Sequence, residues 1–335
     1  MNTEYIQSNS FEGIEKAGEI IRRGGLVAFP TETVYGLGAN GLDEDAVKKI
    51  YTAKGRPSDN PLILHISAME EIENIAYLNE EAIALSRRFW PGALTMVLPK
   101  KNTVPNAVTG GLSTVAVRMP SNDTASRLIK SAGVPVAAPS ANISGRPSPT
   151  TARAVREDLD GRIDMIIDGG LCDIGIESTV IDLCSNPPAI IRPGGITLDM
   201  IQTVLPDCIM DQGLYEPLPE GKVPKCPGMK YKHYSPKAQV IVFETGKERE
   251  IADYLEKYSN KKVAVYCRNG ESYPSENIKF WGENALDMAK NLFEDLRSFD
   301  EEGIEVILCG APEMSYMGQS VRNRLYKSAG YNIVK

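Results

Sequence analysis

The sequence predicts an α/β protein of two domains joined by a linker. Its 335 residues exceed the roughly 250–300 at which single cores stop growing. Up to about residue 205, strand and helix signals are intermixed without regular β-α-β alternation, which implies a mixed sheet. After residue 237 they alternate strictly, which implies a small parallel sheet with crossover helices.

Taken in order, Ser10 caps a helix in which Phe11, Ile14, Ala17 and Ile21 fall at helical spacing until Gly24 and Gly25 end it. Leu26–Phe29 is a short buried strand that Pro30 stops. Asp43 caps a helix running to about Ala53, which delivers the chain to a polar loop beginning at Lys54. In that loop Gly55, Pro57 and Pro61 exclude regular structure, and the strand Leu62–Ile66 follows with His65 near its end. A helix is expected over Glu80–Phe89, strands over Leu94–Leu98 and Val115–Arg118, and a helix from Ser121 or Asn122 to about Ala132. The strand Val134–Ala138 runs into PSANISGRPSPT. A helix near Ala152–Asp158, strands near Met165–Ile167, Thr179–Leu183 and Ala189–Ile191, and a helix near Leu198–Val204 complete residues 1–205.

Prolines 206, 217, 219, 224, 227 and 236, with glycines 213, 221 and 228, forbid long regular elements over residues 206–237. Such a stretch is a linker or a functional cover. Residues 238–335 then give strand Gln239–Phe243, helix Glu248–Tyr258, strand Lys262–Tyr266, helix Ala285–Phe299, strand Glu305–Leu308 and helix Ser320–Ala329. Ala285, Met288, Ala289, Leu292 and Leu296 share one face of the long helix. This is a smaller, Rossmann-like parallel α/β domain.

A net charge of −7 argues against broad adhesion to nucleic acid or anionic membrane, so any anion site must be a local cluster. No apolar run approaches the roughly 20 residues of a membrane span. The polar N-terminus lacks a signal peptide's apolar region. The cysteines at 172, 184, 208, 226, 267 and 309 form no C-x-x-C pair, so neither a zinc site nor a disulfide framework is indicated. The expectation is a cytoplasmic protein with reduced thiols.

No P-loop is present. Gly36-Leu37-Gly38-Ala39-Asn40-Gly41 matches G-x-G-x-x-G, but PTETVY separates it from the preceding strand, whereas dinucleotide sites place the glycines in the strand-to-helix turn itself. These glycines are read instead as letting the backbone turn tightly against a neighbour. KGRPSDNPLILH, from Lys54 to His65, combines a point charge, a planar fork, an amide and an imidazole, an inventory suited to a polyanion; a solvated basic loop is the competing reading. Pro139–Gly145, with Ser148 and Thr150 behind it, offers light donors and backbone N–H groups that can cradle phosphates, or else forms an ordinary Ser/Asn turn. The two histidines, His65 and His233, both lie in Gly- and Pro-rich polar stretches, which leans toward function; the competing readings are a hydrogen-bonded core residue for His65 and a surface-loop residue for His233. Arg118 and Arg192 end apolar strands, where a cation needs an anion: a ligand or a structural salt bridge. Neither a carboxylate pair, a triad nor a metal cage is apparent. The inventory suits a nucleotide site that works by positioning and charge stabilisation, with Mg²⁺ arriving on the substrate.

FPTETVYGLGAN (Phe29–Asn40), KGRPSDNPLILH, FWPGALT (Phe89–Thr95), VAVRMP (Val115–Pro120), PSANISG (Pro139–Gly145), ESTVID (Glu177–Asp182) and IIRPGG (Ile190–Gly195) occur in this order. In them the chain resembles the YrdC-like threonylcarbamoyl-AMP synthase family from Gly13 to about Val204. The CPGMKYKHYSP motif and the residues after it resemble the family's long, two-domain form. The resemblance implies a twisted open sheet with a large concave surface. It implies a nucleotidyltransferase that makes L-threonylcarbamoyl-AMP and pyrophosphate from L-threonine, bicarbonate and ATP with Mg²⁺. A partner transferase complex would then modify ANN-decoding tRNAs; direct tRNA binding is left open. By matching position, Thr33, His65, Arg118, Ala138 and Ser178 would hold threonine. Lys54, Arg56, Asn60, Thr114, Ser140, Ser148, Arg192 and Tyr234 would hold ATP, with Lys54 and Arg56 catalytic and the linker a lid. Cys226 and Lys232 depart from the family's usual Ser or Ala and Arg, which puts a phosphate contact at Lys232 in doubt. The rival reading is an RNA-binding module, disfavoured by the acidic balance and the lack of interleaved aromatics.

Overall fold

Strand pairing, more than local propensity, decides where this chain builds its large sheet. A computed structural model describes residues 2–215, 233–247 and 249–335. The chain divides into two units: Met1–Ser144 with Ser148–Asp173 and Glu177–Lys230, and Gly145–Pro147 with Ile174–Ile176 and Tyr231–Lys335. The linker residues 216–232, with Cys226 and Lys232, lie outside the described residues, as does Glu248.

The first unit runs β1 (Glu4–Gln7), α1 (Phe11–Arg22), β2 (Val27–Phe29), β3 (Gly36–Asn40), α2 (Glu44–Lys54), β4 (Ile63–His65), α3 (Glu80–Phe89), β5 (Leu94–Pro99), α4 (Asn106–Thr109) and β6 (Thr114–Arg118). It continues with α5 (Asp123–Ala132), β7 (Val136–Ala138), α6 (Ala152–Leu159), β8 (Met165–Asp168), β9 (Thr179–Asp182), β10 (Ala189–Arg192), α7 (Leu198–Gln202) and β11 (Ile209–Met210). The strands form one 11-stranded mixed sheet ordered β1-β8-β2-β3-β7-β4-β6-β5-β9-β10-β11. Helix starts follow the sequence signals. Ser10 Oγ accepts from Gly13 N and Asp43 from Ala46 N, while Asn122 rather than Ser121 caps α5 by accepting from Ala125 N. Ile14, Ala17 and Ile21 of α1 pack with Leu128 and Ile129 of α5 over one face of the sheet.

Two local readings are corrected. Gly36–Asn40 is a strand, not a turn, paired antiparallel to both β2 and β7. Glycine has little strand propensity, but a Cβ on Gly38 would lie 2.8 Å from Val136 Cγ1 and 2.9 Å from Phe29 Cε1. Close approach, not turning, explains that glycine. Lys54 does not open the polar loop; it is the last residue of α2, and Gly55 at φ 62° ends the helix in the left-handed region that glycine tolerates. Strand β1 was missed because it is a half-exposed, polar edge strand, held by parallel pairing to β8.

The second unit contains β12 (Gln239–Phe243), α8 (Glu250–Lys257), β13 (Val263–Cys267), β14 (Ile278–Phe280), α9 (Ala285–Glu301), β15 (Val306–Gly310), α10 (Tyr316–Ser328) and β16 (Ile333–Val334). Its five-stranded sheet is parallel throughout, ordered β14-β13-β15-β12-β16. The short edge strands β14 and β16 carried too little apolar pattern to be read. Helix α10 begins at Tyr316, earlier than expected, because Ser315 Oγ caps it by accepting from Gly318 N.

Candidate active site

One transverse row of the large sheet carries three of the polar side chains singled out in the first unit, His65, Arg118 and Arg192. His65 of β4 pairs with Val136 of β7 on one side and Arg118 of β6 on the other. Arg118 pairs in turn with Thr95 of β5, Thr95 with Val180 of β9, and Val180 with Arg192 of β10. Residues in register share a face, and those two along the strand share it as well. His65, Arg118, Thr95 and Arg192 therefore rise from the same face as Ala138 and Thr114. Their floor is a small apolar patch of Ile63, Val97, Ala116, Val180 and Ile191. The intervening residues Leu64, Met96, Val117 and Ile181 point into the main core. Alternation thus builds a polar site on one face and a core on the other.

Arg192 joins this row through a bulge. The register shifts between Ile190 and Arg192, so Ile191 and Arg192 both stand opposite Val180. The extra residue turns the guanidinium onto the face with Arg118, which a regular strand would not do. Arg192 Nε and Nη2 then donate to the Ser178 carbonyl and Oγ, each at 3.0 Å, and Ser178 Oγ lies 2.8 Å from Thr95 Oγ1. Arg118 and Arg192 stand three strand spacings apart, roughly 14 Å.

Around Arg118 the site is tight. Its Nη1 donates to Thr33 Oγ1 at 2.9 Å and its Nε to the Gly92 carbonyl at 3.3 Å. Its Nη2 lies 2.8 Å from Glu32 Oε1 in an ion pair whose side chains are only 4% and 7% exposed. The contact is close but poorly aligned: neither Nη2 nor either Glu32 oxygen makes a well-directed hydrogen bond among the described residues. Burial, the largest single influence, would raise the Glu32 carboxyl, yet the Arg118 charge together with the donors of Arg118 and of the Glu32 and Ser121 backbone outweighs it and holds the pKa below the usual range. Burial, reinforced by the same guanidinium, pushes His65 down to about 3, so its ring is neutral at physiological pH. Its Nδ1 is 3.2 Å from the Ile63 carbonyl.

A second group gathers where α2 ends. Lys54, buried, donates to the carbonyls of Ser140 and Asn142, the latter at 2.5 Å. It is therefore a clamp on the loop after β7 rather than a solvated loop cation. Ser140 Oγ donates to Asn142 Oδ1 at 2.5 Å. Arg56 curls onto its own loop, its Nε and Nη2 donating to the Asn60 carbonyl and Nη2 also to that of Pro61. Ser148 Oγ donates to Glu177 Oε1 at 2.6 Å. Tyr234 belongs to the second unit, where it takes φ 62° and stacks on Phe293 at 5.2 Å between centroids.

Sequence reasoning passed over Glu32, Thr95, Asn142 and Glu177. Each lay inside a quoted motif, but its partner sits far along the chain, so only proximity reveals the pair. No group of three or more His, Cys, Asp or Glu is placed to hold a metal among the described residues.

An open α/β sheet that raises guanidinium groups and small hydroxyls from one face defines a protein with a site for small anionic ligands. The comparisons narrow this. The Sua5/YciO/YrdC family, described as "Telomere recombination", matches residues 19–194, and "Threonylcarbamoyl-AMP synthase, C-terminal domain" matches residues 196–330. Proteins named threonylcarbamoyl-AMP synthase from Pyrococcus abyssi and Bacillus subtilis are 49% and 44% identical, covering 96% and 99% of this chain and 95% and 97% of their own. The crystal structure of P. abyssi Sua5 complexed with L-threonine superposes with a TM-score of 0.94 at 47% identity, over 100% of this chain and 99% of that one. The chain belongs to the threonylcarbamoyl-AMP synthase family.

Proposed function

We propose that this chain is an L-threonylcarbamoyladenylate synthase. The threonine amine forms a bond to the bicarbonate carbon as a C–O bond breaks and water leaves, giving an N-carboxylated threonine; its carbamate oxygen attacks the α-phosphate of ATP, the bond to the β-phosphate breaks, and pyrophosphate leaves with its electron pair. The observation that supports the reading is the row from His65 through Arg118 and Thr95 to Arg192, whose two guanidinium groups would take an amino-acid carboxylate at one end and a phosphate at the other. In this reading Arg118 takes the threonine carboxylate, with Thr33, neutral His65, Ser178 and the Ala138 backbone around its amine and hydroxyl. Arg192, Arg56, Asn60, Thr114, Ser140 and Ser148 face the nucleotide, and Lys54 shapes the loop that meets it. Carry-over of Tyr234 to the nucleotide rests on the resemblance. No side chain need act as nucleophile, because the substrate carbamate supplies it. Mg²⁺ enters as part of the ATP substrate.

The reading assigns catalysis to residues 1–205 and leaves 238–335 as a separate domain. It places the enzyme in the cytoplasm, upstream of a transferase complex that hands threonylcarbamoyl to tRNA. Among the described residues, no helix is long and apolar enough to cross a membrane. The test is pyrophosphate release with mass detection of the AMP adduct. Release should require both threonine and bicarbonate, with serine as control. Release without threonine overturns the reading; tight, salt-sensitive tRNA binding indifferent to ATP would favour an RNA-binding module instead.

A further inference from the structure

In the second unit, β13 and β15 are neighbours, yet the chain leaves them in opposite directions. From β13 it goes to β14 at one edge, and from β15 through α10 to β16 at the other. A switch of this kind opens a crevice outside the carboxyl ends of the strands, where open α/β sheets bind ligands. A cavity of about 260 Å³ occupies that place. Thr245 beyond β12, Arg268 beyond β13, Trp281 beyond β14 and Ala311 beyond β15 wall it. It exceeds the roughly 150 Å³ that holds benzene and falls just below the ~300 Å³ of the smallest drug-sized pockets. The size suits a small metabolite.

Both signs of charge face this cavity. Asn284 and Ser315, the caps of α9 and α10, bring two helix N-termini to the rim, and Arg268 adds a guanidinium. Glu271, Glu283 and Glu313 stand on the same rim. Arg268 Nη1 and Glu313 Oε1 are 3.5 Å apart, with side chains 47% and 76% exposed, a loose pair that a ligand can open. Trp281 is buried, and its Nε1 finds no acceptor among the described residues.

A ligand of one charge would meet its own sign here, whereas a small zwitterion matches both. We propose that this cavity binds a free α-amino acid. Its carboxylate lies toward the α9 and α10 N-termini and Arg268, its ammonium toward Glu271 and Glu313, and its side chain against Trp281.

The protein has two tryptophans, and Trp90 is in the first unit, so Trp90→Phe in the full chain leaves Trp281 as the single indole reporter. This variant is titrated with each standard amino acid to roughly 10 mM, and with phosphate, acetate and methylammonium as single-charge probes. At least one amino acid should give a saturable emission change, weakened about tenfold by Arg268→Ala or Glu313→Gln. Threonine, which the first unit is proposed to bind, counts only if its response survives Arg118→Ala. A response to phosphate or acetate alone would overturn the zwitterion, and undiminished affinity in Arg268→Ala would place the ligand elsewhere. Silence toward every amino acid, repeated by calorimetry on the unaltered chain, would remove the site.

Discussion

Lys54 Nζ lies 2.5 Å from the Asn142 carbonyl oxygen, joining the end of α2 to the loop after β7 across 88 positions of sequence. A buried ammonium is tolerable when carbonyl oxygens surround it, and here the Ser140 carbonyl and Asn142 Oδ1 also accept from it. The cation that heads the KGR motif therefore has a structural task besides the catalytic one proposed for it.

Lys54→Ala should thus lower stability by about 1–3 kcal/mol, the cost of leaving buried acceptors without a donor, besides abolishing pyrophosphate release. Urea unfolding checks the first effect. An unchanged unfolding midpoint would show that Lys54 serves only the substrate.

The Glu32–Arg118 pair gives a ligand-dependent expectation. Breaking a buried pair from one side costs about 3–5 kcal/mol because the other charge is left uncompensated. Glu32→Gln should lose much of that, and threonine, whose carboxylate would replace the missing anion, should raise its melting temperature more than it raises that of the unaltered protein. Equal shifts measured by differential scanning fluorimetry would separate the threonine carboxylate from Arg118.

Ser178 links Thr95 to Arg192 through a single hydroxyl. Ser178→Ala should cost about 2–4 kcal/mol of stability, since it removes two hydrogen bonds, one of them to a charged group. It should also lower kcat/KM for both ATP and threonine, because the same oxygen holds Arg192 and Thr95, the strand neighbour of Arg118. Loss confined to one substrate in steady-state assays would contradict that coupling.

Acid should destabilise the first unit through His65. Its folded pKa, about 3, lies below the unfolded value near 6.5, so the unfolded state binds more protons between them and stability falls as pH drops through that window. Glu32, also depressed, adds loss in the same direction as pH falls through its folded pKa. Between pH 6 and 5 the His65 contribution is about 1 kcal/mol. His65→Asn should flatten the measured slope of unfolding free energy against pH over that interval.

The cavity of the second unit adds the expectation stated with it, and it is independent of these four.

Much of the fold was legible where local chemistry decides. Ser10, Asp43 and Asn122 cap helices because a side-chain oxygen meets an N–H a few residues away. The strict alternation after Gln239 gave a parallel sheet because crossover connections leave no other economical pairing. Strand β3 was not legible, since a glycine-rich segment carries no strand propensity and becomes a strand only between β2 and β7. The burial of Lys54 was equally hidden, because its acceptors come from a distant loop.

By itself, then, the sequence determined the kinds of elements, their order and the motif residues that would carry charge, because periodicity and capping act over a few neighbouring positions. The tertiary structure alone decided that His65, Arg118, Thr95 and Arg192 stand in one row and that a bulge turns the last of them inward. Strand order and register are set by hydrogen bonds and packing between segments far apart in the chain, and a shift of one residue reverses the face a side chain occupies.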